Sequence, residues 1–101
     1  MKLNQKEVYI VSSGDLRPSA NIKCWPMQQN LELMINKSLV DNGWNSVRAH
    51  GYDPEKAHGF IDYQHIGIKV FRNIDTEAPL IVAESVWQYS HHLLAGLISH
   101  K

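Results

Sequence analysis

The sequence has a single cysteine, Cys24. Without a second thiol there is no intrachain disulfide, no Cys-x-x-Cys redox motif and no thiolate zinc cluster, and Cys24 is read as a packing side chain rather than a reactive one. An excess of charge of one sign is also missing. Ten Lys and Arg balance ten Asp and Glu, a net charge of +0 with His neutral, so bulk charge draws the chain toward neither nucleic acid nor an anionic lipid surface. No run approaches the roughly 18 apolar residues of a membrane span. The opening Met1-Lys2-Leu3-Asn4-Gln5-Lys6-Glu7 is polar where a signal peptide needs an apolar stretch. A cytoplasmic protein with no membrane and no nucleic-acid partner is expected.

Familiar catalytic signatures are absent too. Gly14 lies in no Gly-x-Gly-x-x-Gly and no Gly-x-x-x-x-Gly-Lys-Ser/Thr loop, which weakens a dinucleotide or nucleotide reading. There is no Gly-x-Ser-x-Gly elbow for a serine hydrolase. Asp15 stands alone after the first strand, where a phosphoacceptor domain needs paired acids. His91 and His92 are neighbours, which point apart on a helix, and no His-x-x-x-His or converging acids accompany them, so the chain alone builds no metal site.

What the sequence contains is an alternation of strand and helix signals. Val8-Tyr9-Ile10-Val11 runs into Ser12-Ser13-Gly14-Asp15 as a buried strand runs into a loop. A loop punctuated by Pro18 and Pro26 follows. Met27, Leu31, Met34, Ile35 and Leu39 then recur at helical spacing, predicting a first helix with Pro26 at its first turn that ends near Asn42-Gly43. Ser46-Val47-Arg48-Ala49-His50 before Gly51-Tyr52-Asp53-Pro54 predicts a second strand and a turn. Phe60 through Ile74 predicts a second helix carrying Ile61, Ile68 and Phe71, in which Gly67 costs about 1 kcal/mol of helix propensity relative to Ala. Pro79-Leu80-Ile81-Val82-Ala83-Glu84 is the clearest strand, and Leu93, Leu94, Leu97 and Ile98 mark a third helix.

Strands alternating with helices imply right-handed crossovers and a parallel sheet covered on both faces. The expected fold is an α/β three-layer open sheet of flavodoxin-like or Rossmann-like type with strand order 2-1-3. At 101 residues, with no repeat or linker, residues 1–101 read as a single amino-terminal α/β domain or part of one. Three strands leave a sheet edge uncovered, whereas doubly wound domains usually continue to five or more, so the fold is expected to be incomplete.

In such sheets ligands collect beyond the carboxyl ends of the strands where strand order reverses. For order 2-1-3 that point lies between strands one and three, where residues 13–21 meet residues 85–92. Arg17 offers a fork of donors, Asn21 and Gln88 offer donor and acceptor together, and Trp87 offers a flat apolar face for the C–H side of a sugar. His58, in His58-Gly59-Phe60, is a further polar candidate at the same rim. Arg17 as a surface ion-pair partner, Trp87 as core and His58 as a structural side chain are the competing readings.

The strings Ser13-Gly14-Asp15-Leu16-Arg17-Pro18-Ser19-Ala20-Asn21, His58-Gly59-Phe60-Ile61-Asp62 and Ala83-Glu84-Ser85-Val86-Trp87-Gln88-Tyr89-Ser90-His91-His92 resemble the amino-terminal region of the L-fucose isomerase-like sugar isomerases, over nearly the whole chain. The resemblance implies part of a metal-dependent aldose–ketose isomerase of the L-fucose/arabinose type. Arg17 of Leu16-Arg17-Pro18 and Trp87 of Val86-Trp87-Gln88-Tyr89 match family elements that bind substrate, with Asn21, Gln88, Tyr89 and His58 around them. It further implies a sugar ligand and a homo-oligomer or missing carboxy-terminal domains as partners. Mn2+ or another divalent metal would be held by those domains, with no cofactor bound by this chain. Isomerisation moves a proton between C1 and C2 through an enediol while the metal polarises the oxygens, and this segment would supply only a substrate-orienting wall. The alternative is a stand-alone sugar-binding or oligomerisation module without enzymatic activity.

Overall fold

The computed structural model describes residues 6–84 and 91–100. The elements are β1 (Glu7–Val11), α1 (Pro18–Asp41), β2 (Asn45–Arg48), α2 (Gln64–Arg72), β3 (Leu80–Val82) and α3 (His91–Ser99). β1 pairs in parallel with β2 on one side and β3 on the other, giving the order β2-β1-β3 expected from the strand and helix alternation.

Side chains alternate across this sheet. The register sets Tyr9, Val11, Val47 and Leu80 toward one face and Val8, Ile10, Ser46 and Arg48 toward the other. On the first face Val11 joins Ile61, Phe71, Ile74 and Leu93 in the apolar core, with Tyr9, Ile66, Val70 and Leu80 packed around it. Each such buried side chain contributes about 1.5–3 kcal/mol, so this face carries most of the hydrophobic stabilisation. α2 and α3 meet closely there because both contribute a glycine. A Cβ on Gly67 would overlap the backbone carbonyl of His92, and a Cβ on Gly96 would overlap the Phe71 ring. The sequence marks Gly67 as a helix weakness, and the structure shows it as a contact point. Leu93 is fully buried, whereas Leu97 and Ile98 are exposed; the Leu94 side chain lies outside the described residues.

The opposite face is built differently. α1 does not start at Pro26: it begins at Pro18, with Arg17 as N-cap, and Pro26 lies inside it. Pro18 is tolerated because the first helical N–H has no intrahelical partner to lose. Pro26 points to solvent, where the missing hydrogen bond is least costly. The predicted apolar face holds in part: Leu31, Ile35 and Leu39 are half-buried, whereas Met27 and Met34 are exposed. The fully buried residues of α1 are Asn21, Trp25 and Gln28, followed by half-buried Glu32. From β2, Arg48 reaches Glu32 and Ser46 reaches Asn36. Thus the buried residues of α1 are two polar side chains and one tryptophan.

After β2 the chain makes a long excursion and returns. Ala49 N–H donates to the Ile10 carbonyl, and the next place along β1 is taken by Ile61, whose N–H donates to Ser12 O (2.8 Å) and whose carbonyl accepts from Gly14 N–H (2.8 Å). Between them Asp53 and His58 form an antiparallel bridge, and Ala57 has a left-handed φ of 60°. Phe60 and Ile61 therefore extend the sheet rather than opening a helix, which is why α2 begins at Gln64. On the outer edge of β2, Asn36 Oδ1 accepts from both the N–H (3.2 Å) and the hydroxyl (2.7 Å) of Ser46, so a side chain occupies a position that an added strand would use.

Candidate functional site at the carboxyl rim of the sheet

Beyond Val11, side chains continue the work of the backbone ladder on both sides of β1. Toward β2, Ser12 N–H donates to His50 Nε2 (3.2 Å). Toward β3, Ser13 N–H donates to Glu84 Oε1 (2.6 Å). Burial pushes His50 down from 6.5 to about 4, with the Arg48 charge adding to the effect, so its Nε2 remains a neutral acceptor. Burial also pushes the Glu84 carboxyl up from 4.5 to about 7, opposed by the Ser13 N–H.

The loop after β1 is locked from within. Asp15 and Asn21 are fully buried. Asp15 N–H donates to Asn21 Oδ1 and Asn21 Nδ2 donates back to the Asp15 carbonyl, both at 2.8 Å. Gly14 is required beside them, since a Cβ there would lie 2.6 Å from Asn21 Oδ1 and 2.8 Å from Phe60 Cβ. Asp15 accepts from the Arg17 backbone N–H (2.9 Å), from Nε (3.1 Å) and from a terminal guanidinium nitrogen (2.6 Å). These donors, the side chain first, hold the Asp15 carboxyl down at about 2. The Arg17 side chain is nevertheless 70% exposed. It is a cationic fork standing at the mouth of the loop and aimed by a buried carboxylate.

The other sequence candidates are distributed unevenly. Asn21 is at the rim, but both ends of its amide bind the Asp15 backbone, so it shapes the loop that presents Arg17. His58 is buried; its Nδ1 accepts from Phe60 N–H (3.1 Å) and its Nε2 lies 3.6 Å from Asp62. Burial lowers its pKa, with Asp62 opposing, and it borders a cavity of about 210 Å³ with Asp53, Lys56 and Asp62 inside the excursion. Trp87, Gln88 and Tyr89 lie outside the described residues.

A buried polar network behind the rim was not anticipated from the sequence. Arg48 binds Glu32 through Nε (2.6 Å) and a terminal nitrogen (3.0 Å), and also donates to the His50 and Gly59 carbonyls and to Ser12 Oγ. It stacks over Trp25 at 5.1 Å, and Trp25 in turn contacts the Tyr52 and Phe60 rings. Gln28 Nε2 donates to Glu32 (2.7 Å) and to the Ala83 carbonyl (3.0 Å). Among the described residues Gln28 Oε1 and Glu84 Oε2 are buried with no hydrogen-bond partner, an omission that costs about 1–3 kcal/mol per group. The available signal was the spacing of Asn21, Trp25, Gln28 and Glu32, a polar stripe at i, i+4, i+7 and i+11. A cleft of about 520 Å³ lies outside this network, lined by Trp25, Leu33, Asn36, Arg48 and Tyr52 among others.

Comparison with protein-family models, curated proteins and solved structures finds no match to this chain. Among the described residues no group of three or more His, Cys, Asp or Glu side chains is placed to hold a metal ion. No described helix is long and apolar enough to cross a membrane.

Proposed function

We propose that this chain is the substrate-orienting amino-terminal segment of a cytoplasmic, metal-dependent aldose–ketose isomerase of the L-fucose/arabinose type, not catalytic by itself. In this reading the sheet is the first part of a flavodoxin-like or Rossmann-like domain, and further domains bring the metal and the proton-transferring carboxylate. The observation that carries it is the Arg17 fork, held by buried Asp15 at the carboxyl end of β1 beside the point where strand order reverses. The guanidinium carries further N–H donors besides the two that bind Asp15, and these suit adjacent hydroxyl or carbonyl oxygens of a sugar; the aim that Asp15 fixes reduces the ordering cost of binding. The resemblance of the Arg17 and Trp87 segments to sugar isomerases supplies the ligand class.

Calorimetric titration of the whole chain with L-fucose and L-arabinose tests this reading. Saturable binding is expected, weakened about tenfold, or roughly 1.4 kcal/mol, by Arg17→Lys, which keeps the charge and loses the fork. Equal affinity in the variant would remove Arg17 from the site, and no binding of either sugar would count against the reading as a whole.

One observation favours the alternative of an oligomerisation module without enzymatic activity. Ile22, Met27, Leu33, Met34 and Val40 leave α1 with a large exposed apolar surface, of the kind that marks an interaction site. A homo-oligomer at micromolar concentration combined with no sugar affinity would select that alternative.

A further inference from the structure

The crevice between β1 and β3 contains an exchange of partners that regular pairing does not require. Continuing the parallel ladder past Val11 would bring Ser13 N–H to the Ala83 carbonyl, by the pattern in which Tyr9 N–H donates to Pro79 O and Ala83 N–H to Val11 O. Instead Glu84 Oε1 takes the Ser13 N–H, and Gln28 Nε2, arriving from α1, takes the Ala83 carbonyl. The exchange satisfies the backbone and leaves one oxygen on each side chain, Gln28 Oε1 and Glu84 Oε2, buried without a partner among the described residues.

The orientation of the Gln28 amide follows from its neighbours. Both groups bound by Nε2 are acceptors, the Glu32 carboxylate and the Ala83 carbonyl, so turning the amide over would set oxygen against oxygen twice. Oε1 is therefore an acceptor facing a place where a donor is needed. Gln28 is fully buried and Glu84 is half-buried, and between them they take the donor and the acceptor of one ladder bond, Ser13 N–H and the Ala83 carbonyl. A polyol hydroxyl meets this demand by donating to Gln28 Oε1, and it serves Glu84 Oε2 as well when that carboxyl is protonated, by accepting its hydrogen.

We infer that Gln28 Oε1 and Glu84 Oε2 form a hydroxyl-reading pair in the β1–β3 crevice, which selects sugars by the presence of one particular hydroxyl while Arg17 grips their neighbouring oxygens. The inference rests on the sugar-orienting reading and deepens it. The pair requires that Glu84 move slightly outward on binding. Because the Glu84 carboxyl is pushed up to about 7 by burial, it meets a hydroxyl near neutrality as either acceptor or donor.

The test is calorimetric titration of the whole chain with L-fucose, L-arabinose and their monodeoxy analogues, on the wild type, Glu84→Gln and Arg17→Lys. Glu84→Gln keeps an oxygen for Ser13 N–H, so at about pH 5, where the wild-type carboxyl is protonated, its melting temperature stays near wild type. It is expected to lose about tenfold in affinity, to be indifferent to the loss of one hydroxyl that weakens wild-type binding, and to lose the dependence of affinity on pH around 7. Gln28→Met, shown by thermal melting to be folded, is expected to share the indifference to that hydroxyl. If wild type binds, Arg17→Lys is weakened, and both crevice variants keep wild-type affinity and hydroxyl preference, an internal water serves the two oxygens and the inference is overturned while the sugar reading stands. If wild type binds none of the sugars, the sugar reading fails and this inference fails with it.

Discussion

Three ionisable side chains at the rim respond to pH in different directions. Glu84 is raised from 4.5 to about 7, so the folded state favours its protonated form, and its contribution is withdrawn as pH climbs from about 4.5 through about 7. His50 is lowered from 6.5 to about 4, so the folded state favours neutral imidazole, and stability is withdrawn as pH falls from about 6.5 toward about 4. Asp15, held at about 2 by Arg17, contributes above 3.8 and is lost as pH drops through about 2. Glu84→Gln removes only the first effect. The melting temperature of that variant relative to wild type is therefore expected to rise between about pH 5 and about pH 8; a constant difference across that range would show that the carboxyl is not perturbed by the fold. Arg17→Ala is expected to lower stability despite the exposure of its side chain, because it leaves buried Asp15 with backbone donors alone; thermal melts at neutral pH check this, and Arg17→Lys should recover part of the loss. At this scale the sequence places Arg17 in the loop after β1, before Pro18, and the structure puts it at the N-cap of α1. The roles of Asp15, Asn21, Gln28 and Glu84 were not, because each depends on a partner distant in space or on a local turn that composition does not encode.

Among the elements, α1 and the α2–α3 pair show opposite uses of residues that weaken helices. Pro26 has no evident packing role: it is exposed and costs the helix an N–H donor and a carbonyl clash. Pro26→Ala is therefore expected to stabilise the chain by about 1–3 kcal/mol, read from chemical denaturation. Gly67 is the reverse case. Alanine there gains about 1 kcal/mol of helix propensity but drives a methyl into the His92 carbonyl, and overpacking against backbone costs about 1–3 kcal/mol or more. Gly67→Ala is expected to be net destabilising, with a melting temperature lower by several degrees; an unchanged melt would mean that α3 can slide away at no cost. The three strands were readable because short runs such as Val8-Tyr9-Ile10-Val11 admit few alternatives. The start of α1 was not, because Pro18 and Pro26 both read as loop punctuation although the first fits a helix N-terminus and the second sits on its solvent side. The start of α2 was misplaced for a tertiary reason, since Phe60 and Ile61 are drawn into the β2 track by Ser12 and Gly14.

For the molecule as a whole, the sheet has one mainly apolar face under α2 and α3 and one mixed face under α1, where Val8, Ile10 and Ile81 lie beside Ser46 and Arg48, and the polar part of that face continues into the rim. Arg48 links these regions, tying Glu32 of α1 to the His50 and Gly59 carbonyls and to Ser12. Arg48→Met is expected to cost about 1–3 kcal/mol by leaving half-buried Glu32 with Gln28 as its remaining donor, and denaturant unfolding should show the loss as a lower midpoint with an unchanged slope. Strand order was readable because only a few topologies satisfy short right-handed crossovers. The geometry of the rim required the folded chain, since it assembles Arg17, His50 and Glu84 from three separate segments. Backbone amide NMR of the whole chain titrated with L-fucose and L-arabinose tests most directly whether that rim is the functional surface. The account predicts saturable shifts concentrated at Ser12, Ser13, Asp15, Arg17 and Glu84; shifts confined to the cleft around Trp25, Leu33 and Tyr52, or no saturable shift with either sugar, would contradict it.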